Sequence, residues 1–195
     1  MLDPAADCTD IAYVDEYLVA VSSAVEDTEL WVATSTDNGQ SFNPPITIAK
    51  TNTMFWCPKM VDNHAGEAIV LFTDGKSSGR SLSVVTFKPA TNELGPIVQL
   101  APPDDAFECA NLASSSAGKA IVTLSRRVWK EWENVFFTSD DAGHTFGAPS
   151  VINVISTDDG CPEVGYAPSG TAHLAWVQNE MELMWGRSRP KRPCE

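Results

Sequence analysis

"STDNGQSF" at residues 35–42 and "SDDAGHTF" at residues 139–146 are two copies of one polar turn closed by an aromatic residue. Ser35, Asp37, Gly39, Ser41 and Phe42 in the first copy correspond to Ser139, Asp141, Gly143, Thr145 and Phe146 in the second. The two serines stand 104 residues apart. A turn repeated at long range implies that the unit around it is repeated, with a period that other residues should carry.

Cysteine supplies it. Cys8, Cys57, Cys109 and Cys161 follow one another at 49, 52 and 52 residues, and 104 is two periods of 52. The neighbours travel with the cysteines: "CTDIAY", "CPKMVD", "CANLAS" and "CPEVGY" each place a polar residue second (Asp10, Lys59, Asn111, Glu163) and an apolar one third (Ile11, Met60, Leu112, Val164). Gly66, Gly118 and Gly170 stand nine residues after three of the cysteines, and the first unit has a shorter turn at Asp15-Glu16 instead.

Each unit opens with two short β-type runs joined by a turn, the signature of a hairpin. A third run follows ("ELWVATS", "RSLSVVTF", "NVFFTS", "ELMWGRS"), and in three units a fourth ("PITIA", "PIVQL", "SVINV"). No helical period is present. Small four-stranded sheets repeated about every fifty residues bury both faces only when neighbours cover them, which is the construction of a β-propeller. The expected fold is therefore all-β, one propeller domain over 1–195. Its blades fall at approximately 8–54, 55–106, 107–158 and 159–195, with the last incomplete.

The pattern S-x-D-x-G-x-[ST]-[FW] resembles the Asp-box, or BNR, repeat, and the chain is similar to sialidase-type β-propellers over essentially its whole length. The resemblance implies that the Asp boxes lie on the face opposite a functional site, in a secreted or periplasmic protein. Local chemistry agrees that the turns are structural, because a short Ser and Asp accept hydrogen bonds from nearby amides and Gly supplies a positive φ.

Composition narrows the function. Twenty-six acidic residues against thirteen basic ones give a formal charge of −13, which repels nucleic-acid backbones and anionic membranes. With 43% hydrophobic and 20% charged residues the chain reads as soluble and globular. "MLDPAAD" carries neither the basic nor the apolar region of a signal peptide. Without a CxxC pair, no metal or cofactor site is expected. A disulfide between equivalent cysteines of adjacent blades requires an unusually close approach of the inner strands.

The candidate ligand-binding residues gather in "SRRVWKEWEN": Arg126, Arg127, Trp129 and Trp132, with Trp56 projecting near the same face. Exposed tryptophans stack on sugar rings or anchor protein partners, and arginines pair with carboxylates. The bland alternative packs these aromatics between blades. Asp10, Lys59, Asn111 and Glu163 are expected near the propeller axis, pairing with one another.

The resemblance also implies a catalytic apparatus of three arginines, a tyrosine paired with a glutamate and an acidic proton donor. This chain departs from it. It lacks the family's N-terminal arginine motif and has six arginines, none in the first unit. The leading expectation is a non-catalytic propeller that binds a ligand, a glycan being the candidate, opposite the Asp boxes. A reduced glycoside hydrolase would use Asp10, Glu163 and Tyr166. A third possibility is an assembly module: "PKRPCE" makes a poor strand, so the last blade reads as open, inviting a homodimer or other association through the terminal blades.

Overall fold

The computed structural model describes residues 8–23, 28–76, 79–128, 131–155, 162–178 and 182–187. The first sheet joins β1 (Thr9–Val14), β2 (Tyr17–Ser23), β3 (Glu29–Ser35) and β4 (Ile46–Lys50) in sequence order. The second joins β5 (Phe55–Asp62), β6 (Ala68–Lys76), β7 (Gly79–Lys88), β8 (Glu93–Leu94) and β9 (Val98–Asp105), with β8 and β9 both paired to β7. β10 (Phe107–Ser114), β11 (Ala120–Val128), β12 (Glu131–Ser139) and β13 (Ser150–Ile155) form the third. β14 (Glu163–Tyr166), β15 (Ala172–Gln178) and β16 (Glu182–Arg187) form a fourth, of three strands among the described residues. Every pairing is antiparallel and, apart from that of β7 with β9, between chain neighbours, and the sheets are the up-and-down blades of a β-propeller.

Strand β6 shows why the blades stack. "AIVLF" is apolar without alternation, as a strand buried on both faces must be. Ala68, Val70 and Phe72 point into a core shared with blade 1, against Val19, Val21, Leu30 and Val32. Ile69 and Leu71 point the other way, into a core shared with blade 3 that includes Phe107, Val122, Leu124 and Phe137. A third core joins Ala113 and Ile121 of blade 3 to Leu174 and Trp176 of blade 4. Fully burying one such side chain contributes about 2 kcal/mol, so the boundaries between blades hold most of the apolar stabilisation.

Polar stitches accompany these cores along the inner strands. Asp10 Oδ2 accepts the Met60 amide at 2.8 Å, Ser114 Oγ donates to Asp62 O at 2.5 Å, and Asn111 Nδ2 donates to Pro162 O at 3.1 Å. The expected mutual pairing of Asp10 with Lys59 is replaced by side chain to backbone bonds across the boundary. A backbone amide is fixed by the strand, whereas Lys59 is exposed.

The inner strands of blades 1 and 2 approach closely enough to be crosslinked. Cys8 and Cys57 form a disulfide between blades 1 and 2, with their Cα atoms 4.9 Å apart. The register of β5 slips between Trp56 and Lys59, and that of β10 between Glu108 and Asn111, so the Cys57 and Cys109 positions both lie in bulges. A bulge bends its strand and re-aims the side chain there. Cys109 has φ +57° and is itself disulfide-bonded, while Cys161 lies outside the described residues.

The repeated turns are the same object atom for atom. Ser35 Oγ donates to Asp37 Oδ1 at 2.7 Å and accepts the Gly39 amide at 2.9 Å; Ser139 does the same with Asp141 and Gly143 at the same distances. Asp37 then accepts the Ser41 amide and hydroxyl at 2.9 and 2.6 Å, and Asp141 accepts those of Thr145 at 2.9 and 2.5 Å. Gly39 and Gly143 stand at φ +82° and +90°. Gly66, Gly118 and Gly170 share positive φ at their hairpin turns, and in the first unit Asp15 adopts it. The second turn also braces two blades, since buried Asn63 donates through Nδ2 to Ala142 O at 3.1 Å.

Two outcomes are expected. Removing Cys8–Cys57, by Cys8→Ser with Cys57→Ser, lowers stability by about 4 kcal/mol, the loop-closure effect for a crosslink of this span; a chemical denaturation curve reads it. The hydroxyl of Ser41, then that of Ser35, lowers the Asp37 pKa to about 2. Burial acts to raise that of Asp141, but the bonds from Thr145 and Ser139 outweigh it and bring it to about 2. Folded pKa values below the ordinary carboxylate value mean that this stabilisation is present above about pH 4 and is lost as pH falls toward 2. Asp37→Asn with Asp141→Asn should flatten the fall in Tm across that window.

Candidate functional site

The hairpin topology assigns every residue to one of two ends. The repeated turns, the β5–β6 turn holding Asn63 and the β10–β11 turn holding Gly118 share one end, joined by Asn63 Nδ2 to Ala142 O and by Ala142 N to Gly118 O at 2.7 Å. The start of β5 and the β6–β7 and β11–β12 connections are at the other. Trp56, Arg126, Arg127 and Trp132 therefore stand at the end opposite the repeated turns. Trp129 lies outside the described residues.

Strand alternation then splits the cationic, aromatic run. Arg126 pairs in register with Glu133, and both face blade 2; Arg127 pairs with Trp132, and both face blade 4. One stretch of sequence thus furnishes two grooves.

The groove between blades 2 and 3 is the better furnished. On its blade 3 wall, Arg126 directs Nε and Nη2 to Glu133 Oε2 at 3.2 and 3.1 Å. A cavity of about 130 Å³ lies beneath, lined by Leu100, Ala101, Phe107, Leu124 and Arg126 among others. On the blade 2 wall the Arg80 guanidinium lies over the Trp56 ring, 3.7 Å from its centroid. Trp56 Nε1 donates to Gly75 O at 3.1 Å, and the ring is 36% exposed. The register explains the contact. Trp56 opposes Thr73, and Gly75 opposes Arg80, so Trp56 and Arg80 emerge on one face of the blade, toward blade 3.

Arg80 was not among the candidates from sequence. In the chain it is an isolated arginine between a glycine and a serine, 24 residues from Trp56, and only the pairing of β5, β6 and β7 brings the two together. Asp74, which accepts from Ser81 Oγ at 3.2 Å, is at the same end of the blade.

The carboxylates and tyrosine of the hydrolase reading are not assembled into one centre. Asp10 is held by the Met60 and Ile11 amides at 2.8 and 2.9 Å. Glu163 and Tyr166 are three residues apart on β14, so their side chains leave opposite faces of the strand. Tyr166 packs against the core shared by blades 3 and 4, where burial and then the charge of Asp140 raise its pKa. Glu163 faces the exposed side of blade 4 beside His173 and Trp185. Tyr13 lies at the end of the repeated turns, its hydroxyl 3.4 Å from Asn38 Oδ1. Among the described residues no group of three His, Cys, Asp or Glu gathers as a metal would require.

No family model and no curated protein sequence matches the chain. Solved structures do. A Hadza microbial sialidase superposes with a TM-score of 0.65 at 12% identity, over 95% of this chain and 44% of that one. An α-L-arabinofuranosidase of Fusarium graminearum bound to arabinobiose gives 0.61 at 12% identity, over 95% and 65%. An endo-arabinase from Bacteroides thetaiotaomicron gives 0.55 at 15% identity, over 92% and 73%. The fold is thus that of these propellers, and the chain spans less than half the length of the sialidase.

The Trp56–Arg80 stack should behave as a coupled pair. A double-mutant cycle of Trp56→Ala and Arg80→Ala, read by urea denaturation, is expected to give a coupling energy of about 1 kcal/mol.

Proposed function

We propose that this chain is a carbohydrate-binding β-propeller module that does not turn over its ligand. In this reading the repeated turns are Asp boxes with a structural role, and the ligand is received at the opposite end of the groove between blades 2 and 3. The observation that carries the reading is the Arg80 guanidinium stacked 3.7 Å over a partly exposed Trp56. Trp56 is fixed on one side by Arg80 and at its Nε1 by Gly75 O, so little side-chain freedom is lost when a sugar ring lies on its open part. The guanidinium of Arg126 on one wall is paired with Glu133, and Arg80 on the other wall offers a guanidinium on a chain of net charge −13. That favours a sugar bearing a carboxylate over a neutral one. The sugar-directed names of the solved propellers support a carbohydrate as the ligand, without favouring an acidic one.

Absence of turnover rests on the separation of Glu163 from Tyr166, which leave opposite faces of β14, and on the packing of Tyr166 against the core shared by blades 3 and 4. A second reading, an assembly module, draws on the apolar side chains exposed at the two outer blades, Ile11 and Tyr13 on one and Leu183 and Trp185 on the other.

Calorimetric titration with sialyllactose, lactose and arabinobiose tests the proposal. Binding of the carboxylate-bearing sugar is expected to exceed that of lactose. Trp56→Ala should weaken all binding at least about tenfold, and Arg80→Gln should weaken mainly the acidic sugar. Release of fluorophore from a sialoside by the wild-type chain, abolished in Tyr166→Phe or Glu163→Gln, would overturn it in favour of a hydrolase. Equal, unaltered binding by Trp56→Ala would remove the site from this groove.

A further inference from the structure

The first two blade boundaries inside the chain share one construction, and the repeat allows the two outer faces to be compared with it position by position. Leu30 and Val32 on β3, and Leu82 and Val84 on β7, face the following blade and are fully buried. Their equivalents on β16, Leu183 and Trp185, are 72% and 71% exposed. Met60 on β5 faces the preceding blade and is buried, and Val164 and Tyr166 on β14 pack against blade 3. The equivalents on β1, Ile11 and Tyr13, are 52% and 54% exposed. Blade 4 thus presents the half of a boundary that receives a following blade, and blade 1 presents the half that is received.

Details of the boundary are present on both halves. Beside Trp185 is a hollow of about 240 Å³ bordered by Glu163, Gly165, His173 and Ala175, and a Cβ on Gly165 would meet nothing within 4 Å. Glu163 occupies the position from which Asp10 accepts the Met60 amide of the next blade. The amide equivalent to Met60 N is Ile11 N, and in blade 1 it is capped at 2.9 Å by Asp10 of its own strand.

We infer that these two faces are complementary and that a second copy of this chain docks on them head to tail, Leu183 and Trp185 of one copy against Ile11 and Tyr13 of the other. The interface continues one that the chain already builds between its own blades. Two such junctions related by a two-fold axis close a ring of two chains. A net charge of −13 per copy opposes the approach, so association strengthens with salt. The inference is independent of the sugar-binding reading, whose groove lies between blades 2 and 3.

Sedimentation equilibrium of the chain across micromolar to near-millimolar concentration, at low and high salt, tests it. The expected result is a dimer whose Kd tightens with salt. Trp185→Glu and Ile11→Glu should each weaken it at least about tenfold without changing the Tm measured at concentrations where the chain is monomeric, and a mixture of the two variants should recover dimer through one intact junction. Leu183→Glu and Tyr13→Glu form an equivalent pair should either of the first two lose its fold. A chain that stays monomeric throughout overturns the inference. So does a dimer weakened by Trp185→Glu but indifferent to Ile11→Glu, which would mean that blade 4 meets blade 4.

Discussion

A small twisted sheet with two apolar faces has nowhere to put them except against other sheets, and this structure is organised around that constraint. Blade 2 gives Ala68, Val70 and Phe72 to one neighbour and Ile69 and Leu71 to the other, so neither neighbour could be removed without exposing half of β6. The polar stitches from Asp10 and Asn111 follow the same geometry, because stacked blades bring inner strands side by side. The disulfide between Cys8 and Cys57 is possible for the same reason.

The two ends of the stack have different chemistry. At one end the polar side chains of the repeated turns are consumed by the turns themselves: Ser35 and Ser139 serve their own aspartates and glycines, and Asp37 and Asp141 serve the residues four positions on. Groups so occupied have little left to offer a ligand. At the other end, the start of β5 and the ends of the β6–β7 and β11–β12 hairpins bring tryptophan and arginine to the mouths of the grooves, and these residues are held without being enclosed.

What the sequence made legible was the repeat and hence the sheet order, since both follow from local alternation and from residues that return with the period. The glycine at 66, 118 and 170 marked a positive φ that the first unit, lacking the glycine, reproduces with Asp15. What it concealed depends on register. Cys57 sits in the slip between Trp56 and Lys59, a break in register that nothing in the sequence marks, and it is there that the crosslink to Cys8 is made. Arg80 reaches Trp56 only through two strand pairings, and "SRRVWKEWEN" reads as one cluster until alternation divides Arg126 from Arg127. The glutamate and tyrosine of "CPEVGY" stand close in the chain, but a strand alternates its side chains residue by residue, so the odd separation of Glu163 and Tyr166 puts them on opposite faces of β14.

The crosslink at the first boundary bears on how the array comes apart. In a quasi-one-dimensional stack a terminal unit has one neighbour and is the natural place for unravelling to start. Tethering Cys8 to Cys57 ties the inner strand of blade 1 to that of blade 2, so peeling blade 1 away releases a closed loop instead of a free end and returns less disorder to the chain. The first two blades are thereby made into one cooperative unit for opening, and amide exchange in β1 is coupled to that in β5.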